Sequence, residues 1–422
     1  MYQAVQNGVT IITGGPGTGK TTTINTILQV FEQEGLDILL AAPTGRAAKR
    51  MSETTGWEAQ TIHRLLEING GVSEGDTQGA MHFERNEKQP LEADVVIIDE
   101  FSMVDIYLMN ALLRAIVPGT RLIIVGDVNQ LPSVGPGNVL KDMIQAEFCS
   151  VVRLHRIFRQ AAESQIVMNA HRINSGEEIS LENASPDFMH LERKDSASVI
   201  NVVVQLIMQK LPPHVDASPY DIQVLTPTRK GELGVEHLNQ VLQQYMNPAD
   251  AGKVEREFHG VLFREKDKVM QIKNDYQIRW TKKTSLGDVY EEGTGVFNGD
   301  TGIIREIIPV AEQVVVEFEE GKMVEYEYSQ MDEMELAYAI TIHKSQGSEY
   351  PAIVLPVLGG PKMLLGRNLL YTAVTRAKKC VTTVGSSRVI QGMIHNVNEQ
   401  KRFSSLCQRI KEMEEEDAEL NH

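Results

Sequence analysis

The chain has 422 residues, 42% of them apolar, which is enough for two or more domains with ample cores, and no run approaches the apolar length a membrane span needs. Its 57 acids against 41 bases give a formal charge of −16, which excludes a generic coat for nucleic acid and leaves room only for a narrow basic groove on an acidic body. The three cysteines, Cys149, Cys380 and Cys407, lack metal-ligand spacing, and the start of the chain shows no charged-then-apolar leader, so they read as reduced thiols of a cytoplasmic protein.

The first predicted element is an apolar strand at residues 9–12. It runs into the glycine-rich stretch GGPGTGKTT at 14–22, and a helix-compatible segment follows at 21–34. Strand, loop and helix with this Gly-x4-Gly-Lys-Thr spacing form a phosphate-binding loop. Gly15, Gly17 and Gly19 let the backbone N–H groups of the loop, Thr18 and Thr22 included, turn inward on a phosphate chain, and the helix N-terminus adds its dipole. Lys20 is placed to reach the β- and γ-phosphates of ATP, and the Thr21 hydroxyl to hold Mg²⁺.

Further apolar runs at 38–42, 95–98 and 122–125 each end in a polar loop, the pattern of a parallel sheet buried on both faces. In such sheets ligands bind beyond the carboxyl ends of the strands. Between two of these runs, residues 70–90 break the pattern with GGVSEGDTQG, followed by Met81-His82-Phe83, and are expected to leave the sheet as a hairpin. The strand at 95–98 ends in Asp99 and Glu100. Asp99 suits water-mediated Mg²⁺ binding, and Glu100 suits a general base on the attacking water. After the next strand, Gly126-Asp127-Val128-Asn129-Gln130 places Gln130 to sense the γ-phosphate or orient that water.

A helix is predicted at 164–173 and a strand at 222–225. From about 254 to 331 the period changes to two: residues 268–273 alternate, 314–318 are strongly β-forming, and turns fall at 298–300 and 320–322. That is expected to be a small inserted β domain, a barrel. Residues 336–357 and 369–385 return to α/β character, and the acidic run 412–419 reads as a solvated helix end.

Ten stretches, taken in order, resemble the superfamily 1 helicases, and most of all their RecD-like, 5′→3′ branch. They are GGPGTGKTTT (14–23), APTGRAAKRM (42–51), TIHRLL (61–66), DEFSMVD (99–105), GDVNQLPSVGPG (126–137), IFRQ (157–160), TPTRKGELG (226–234), VFNGDTG (296–302), AITIHKSQGSEY (339–350) and YTAVTRAKK (371–379). The resemblance implies an α/β fold with two RecA-like P-loop lobes, at 1–69 with 91–148 and at 149–253 with 335–395. It also implies a β-hairpin pin at 70–90, an SH3-like β-barrel domain at 254–334 and a helical tail at 396–422. ATP would lie in the cleft between the lobes. Arg159 and Arg376 match arginines supplied from the second lobe, which stabilise charge on the transferring phosphoryl group when the lobes close, and Glu349 matches a ribose contact.

Single-stranded DNA is expected to cross both lobes. By position this involves Thr44, Arg46, Thr61, His63, Thr226, Thr228, His343 and Ser345, in contacts that position the strand without reading its sequence. His63 and His343 equally fit buried, hydrogen-bonded histidines. Lys268, Lys273, Arg279, Lys282 and Lys283 would guide the strand along the β domain. The implied activity is a DNA-dependent ATPase that moves 5′→3′ and opens tailed duplex, working as a monomer, away from membranes and with no protein partner specified. The pin would split the fork. The alternatives are the motor section of a conjugative relaxase and a nucleic-acid clamp with little unwinding. One departure stands out: the family's adenine-reading glutamine falls in register with Met1, so the chain is expected to begin inside that motif, as a fragment without the N-terminal domain of longer relatives.

Overall fold

The computed structural model describes residues 1–67, 83–183, 185–284, 287–397 and 402–420. The centre of the expected hairpin, including Met81, lies outside the described residues. The chain divides into two compact units, Met1–Ile179 with Gly366–Thr375 and Ile394–His422, and Ser180–Leu365 with Arg376–Met393. Among the described residues no helix is long and apolar enough to cross a membrane.

The first unit is built on six strands: β1 (Val9–Gly14), β2 (Ile38–Ala42), β3 (Ala59–Thr61), β4 (Val95–Ile98), β5 (Arg121–Gly126) and β6 (Ser150–Leu154). They lie in the order β3-β2-β4-β5-β1-β6, every neighbour parallel. The apolar runs are unbroken because both faces of the sheet are covered. Ile11, Val96, Ile98, Leu122 and Ile124 enter one core, while Ile12, Val95, Ile97, Ile123 and Val125 enter the other. Helix Lys20–Gln33 covers the second face with Ile24, Ile27, Leu28 and Phe31, the i, i+3, i+4, i+7 stripe of an amphipathic helix.

The end of the excursion that is described returns to the first unit. Glu84 and Arg85 donate their backbone N–H groups to Glu67 and Leu66, and Asn86 and Gln89 bond each other reciprocally. Phe83 packs against the core of the first unit, with its ring 6.0 Å from that of His63. An aromatic ring beside an open core face gains by leaving water, and this one does.

The second unit holds a five-stranded parallel sheet in the order Ala339–Thr341, Gln223–Thr226, Tyr350–Val357, Ala377–Gly385, Phe188–Glu192. It also holds a seven-stranded antiparallel sheet between Val289–Val296 at one edge and Met334–Leu336 at the other. The period-two reading is borne out in Gln313–Phe318, where Val314, Val316 and Phe318 are buried and the residues between them are not. Glu320 (φ 64°) and Gly321 (φ 72°) turn this strand back onto Lys322–Glu327. The turn at Gly299 (φ 101°) instead joins two strands that are not neighbours.

Strand Lys268–Gln271 departs from its alternating sequence, because all four residues are buried. It is paired on both sides, and Lys268 turns its Nζ inward to the Tyr220 carbonyl (2.5 Å) and Gln223 Oε1 (3.0 Å). One core serves both sheets of this unit: Val224, Leu238 and Val354 share it with Val314, Val316 and Tyr326. The fully buried Asp267 pins the junction. It accepts from Gln243 Nε2 (2.6 Å), Asn247 Nδ2 (2.7 Å), the Tyr338 hydroxyl (2.8 Å) and the Arg264 N–H (2.7 Å).

Candidate functional site

Strands β4, β5 and β1 are consecutive in the sheet and parallel, so the loops after Ile98, Gly126 and Gly14 leave from one edge. In the loop after β1, Gly17 (φ 71°) and Gly19 (φ 84°) are left-handed, a conformation that costs glycine little. Space adds a second reason at Gly17, where a Cβ would come 2.7 Å from that of Ala161. Lys20 folds its ammonium into the loop and donates to the carbonyls of Gly14 (2.6 Å) and Gly15 (3.2 Å). Thr18 is buried, with its hydroxyl on the Gly15 carbonyl (2.8 Å). Thr21, in the first helical turn, is half-buried, and Thr22 is exposed. Free N–H groups at a helix start, beside a fixed cation, suit a phosphate chain.

At the end of β4, Glu100 takes a left-handed φ of 50°, a strained conformation for a residue with a Cβ. The turn lets its own N–H donate to Asp99 Oδ1 at 2.7 Å. Burial, then the charge of Glu100, push the Asp99 carboxyl from its ordinary 3.8 up to about 6, against the opposing pull of Lys20 and Arg50. Arg50 Nη1 lies 3.6 Å from Glu100 Oε1. A carboxylate so disfavoured as a bare anion, with a hydroxyl available at Thr21, is a donor set that fits a hard divalent cation such as Mg²⁺.

At the end of β5, Asp127 is fully buried. Its Oδ1 accepts from the Asn129 N–H (3.1 Å), and its Oδ2 from Gln130 Nε2 (3.4 Å) and the Tyr371 hydroxyl (2.6 Å). The Leu131 N–H donates to Thr372 Oγ1 (3.0 Å). Gln130 is thus held from both sides of its own loop.

Several neighbours of the phosphate loop were not singled out from sequence. The Phe158 N–H donates to the Gly17 carbonyl (3.2 Å), and the Phe158 ring lies against Gly19. His171 bonds the Pro16 carbonyl (3.0 Å), and the Tyr371 hydroxyl lies 3.0 Å from where a Gly15 Cβ would be. Arg159 opens the helical turn Arg159–Ala162 that follows Phe158. The signal for Phe158 and Tyr371 was their place inside the IFRQ and YTAVTRAKK stretches.

Of the residues expected in the second unit, Arg376 is buried and donates to the Ser348 carbonyl (3.3 Å), while its own carbonyl accepts from the Tyr350 N–H (2.8 Å). Glu349 is half-buried, with Oε2 3.6 Å from Lys378 Nζ.

The residues expected to face a strand divide into two groups. Thr44 and Thr61 are helix N-caps, accepting from Ala47 (3.2 Å) and Arg64 (3.1 Å). Arg46 and Thr228 are half-buried, and His343 is exposed. His63 is half-buried, and burial holds its imidazole below the usual range against the opposing charge of Asp105, so it stands as a neutral donor rather than a cation.

Thr226 and Ser345 sit deeper in their loops. Both are buried, with hydroxyls donated inside their own loops, to the Leu233 carbonyl (2.6 Å) and the Ile342 carbonyl (2.7 Å). Of the basic run, Lys268 is buried and so does not face a strand, while Lys273 pairs with Asp332 (2.5 Å) and Lys282 with Glu291 (2.8 Å) over the Trp280 ring. Arg279 and Lys283 are exposed.

By its strand order and the glycine-rich loop at its strand ends, the first unit has the RecA-like P-loop fold. Residues 1–136 match the AAA domain family, 238–318 the SH3 domain of ATP-dependent RecD-like DNA helicases, and 336–384 the UvrD-like helicase C-terminal domain. The chain is 35% identical to the ATP-dependent RecD2 DNA helicase of Deinococcus radiodurans, over 97% of its own length and 51% of that protein's. It is 30% identical to the RecBCD enzyme subunit RecD of Mycobacterium tuberculosis, over 93% of its own length and 69% of that subunit's. A Pif1 helicase solved for DNA unwinding at forked double-stranded DNA matches 97% of this chain and 94% of its own at 20% identity, with a TM-score of 0.52, a likeness of fold. The chain belongs to the RecD-like DNA helicase family. It spans about half the length of the Deinococcus relative.

Proposed function

We propose that this chain is the motor of an ATP-dependent DNA helicase that moves 5′→3′ on single-stranded DNA and opens tailed duplex. The observation that supports this best is the adjacency of β4, β5 and β1 in a chain of this family, which gathers Asp99, Glu100, Gln130 and Lys20 at one sheet edge. Lys20 neutralises the β- and γ-phosphates as a point charge. Mg²⁺, held by the Thr21 hydroxyl and by Asp99, would supply further neutralisation of the phosphate oxygens. Glu100, turned off its strand by a left-handed backbone, takes the proton of the attacking water, and Gln130 orients that water. Arg159 and Arg376 add charge stabilisation to the transferring phosphoryl group, and Glu349 contacts the ribose.

Thr44, Arg46, Thr61, His63, Thr228 and His343 hold the strand by its backbone, with loops shaped by Thr226 and Ser345. The protein works as a cytoplasmic monomer. Strand displacement on duplexes carrying a 5′ or a 3′ single-stranded tail tests this reading. Opening of the 5′-tailed substrate alone is expected, and opening of the 3′-tailed substrate alone would overturn the polarity.

A further inference from the structure

Two of the strand-facing stretches in the second unit each carry a cation that the family motifs did not single out: Arg229 in the stretch 226–234 and Lys344 in the stretch 339–350. Both end on one carboxylate. Arg229 Nη2 lies 2.6 Å from Glu335 Oε1, and Lys344 Nζ lies 2.9 Å from Glu335 Oε2. Glu335 belongs to Met334–Leu336, the edge strand of the antiparallel sheet. The three side chains line a small cleft together with Thr341, whose hydroxyl accepts from the Lys344 N–H. The Arg229 side chain is 50% exposed, that of Glu335 26% and that of Lys344 24%, so the cluster opens to solvent.

Two cations on one anion leave a charge of +1 on a body of net charge −16. Each carboxylate oxygen takes one cation, and a phosphodiester likewise offers two non-bridging oxygens to such a pair. Arginine and lysine are the usual partners of such an oxyanion, and the planar guanidinium suits it in particular. The Arg229 arm of the cluster, half-exposed, is weakly held and screened by salt, so a competing anion can enter from that side.

We propose that Arg229 and Lys344 form a seat for one backbone phosphate of single-stranded DNA, and that Glu335 occupies this seat when no strand is bound. Glu335 is then a built-in competitor that the strand displaces on binding and that retakes the cations on release. This keeps the grip on DNA below what the two cations alone would give, as a motor that must let go of its track requires. The inference rests on the DNA-motor reading above.

The test is the binding of labelled oligo(dT) to the full chain by fluorescence anisotropy, over a salt series. Glu335→Gln, which keeps the shape and removes the charge, is expected to bind several-fold more tightly. Its plot of log affinity against log salt should be steeper by up to about 0.7, the amount for one further neutralised phosphate. Glu335→Ala should move in the same direction. Arg229→Ala with Lys344→Ala should weaken binding, and in that background Glu335→Gln should have no effect. Unchanged or weaker binding by both Glu335 variants would overturn the competitor and make Glu335 a mere organiser of the two cations. A wild-type chain that binds no oligo(dT) would overturn the motor reading itself.

Discussion

The Tyr371 hydroxyl donates to Asp127 Oδ2 at 2.6 Å, and both side chains are buried. The same oxygen accepts from Gln130, so the tyrosine fixes the carboxylate that holds the proposed γ-phosphate sensor. Leaving a buried acceptor short of one partner costs about 1–3 kcal/mol. Tyr371→Phe is therefore expected to lower the melting temperature modestly and to reduce kcat for ATP by roughly tenfold, a barrier change of about 1.4 kcal/mol, with little change in KM. Steady-state kinetics check this, and an unchanged kcat would show that Gln130 keeps its place without the tyrosine.

Arg376 is the buried arginine proposed to act on the phosphoryl group. Arg376→Lys retains a positive charge and loses the planar fork. Turnover should fall steeply, toward the roughly 10³–10⁵-fold loss expected of a missing arginine finger, while nucleotide affinity measured by a fluorescent ATP analogue changes far less. Retention of full turnover by the lysine variant would remove the residue from the chemistry.

Asp99 sets a stability trade. Its folded carboxyl, raised from 3.8 to about 6, is ionised at a cost above pH 6. A raised acid contributes stability that is fully present below its unfolded value and is lost as pH rises through its folded value. Asp99→Asn should therefore melt higher than the wild type at pH 7.5 without nucleotide or Mg²⁺, by an amount on the order of a few degrees. The gap should narrow toward pH 5, and Mg²⁺-dependent hydrolysis should be lost. Melting curves at the two pH values decide the point, and a variant that melts lower at pH 7.5 would contradict the burial argument.

Lys20→Ala removes the point charge proposed for the β- and γ-phosphates. Hydrolysis should fall to background, while anisotropy with oligo(dT) should stay near the wild-type value, because the strand-facing residues lie elsewhere in sequence. Near-normal hydrolysis by this variant would refute the assignment of the loop.

Much of the sheet was legible in the sequence because a strand buried on both faces must be apolar throughout, and β2 and β4 fall where their runs predicted. The phosphate loop was legible because its glycines, lysine and helix start are contiguous. Tyr371 and Asp127 were not, since 244 residues separate them and no local pattern pairs a tyrosine with a distant carboxylate. Lys268 misled because alternation marks a half-buried strand, and this strand is covered on both faces. The burial of Thr226 and Ser345 was not legible, because a hydroxyl in a strand-facing motif serves equally well to close its own loop. The inward packing of Phe83 was not legible either, because its polar sequence neighbourhood does not reveal the core face nearby.

Coupling of ATP hydrolysis to single-stranded DNA is read most directly from the ATP turnover of this chain with and without saturating oligo(dT) in the presence of Mg²⁺. Strong stimulation by oligo(dT), abolished in Lys20→Ala, is expected of a DNA-coupled motor. Turnover that is unaffected by oligo(dT), or equal in the two proteins, would contradict it.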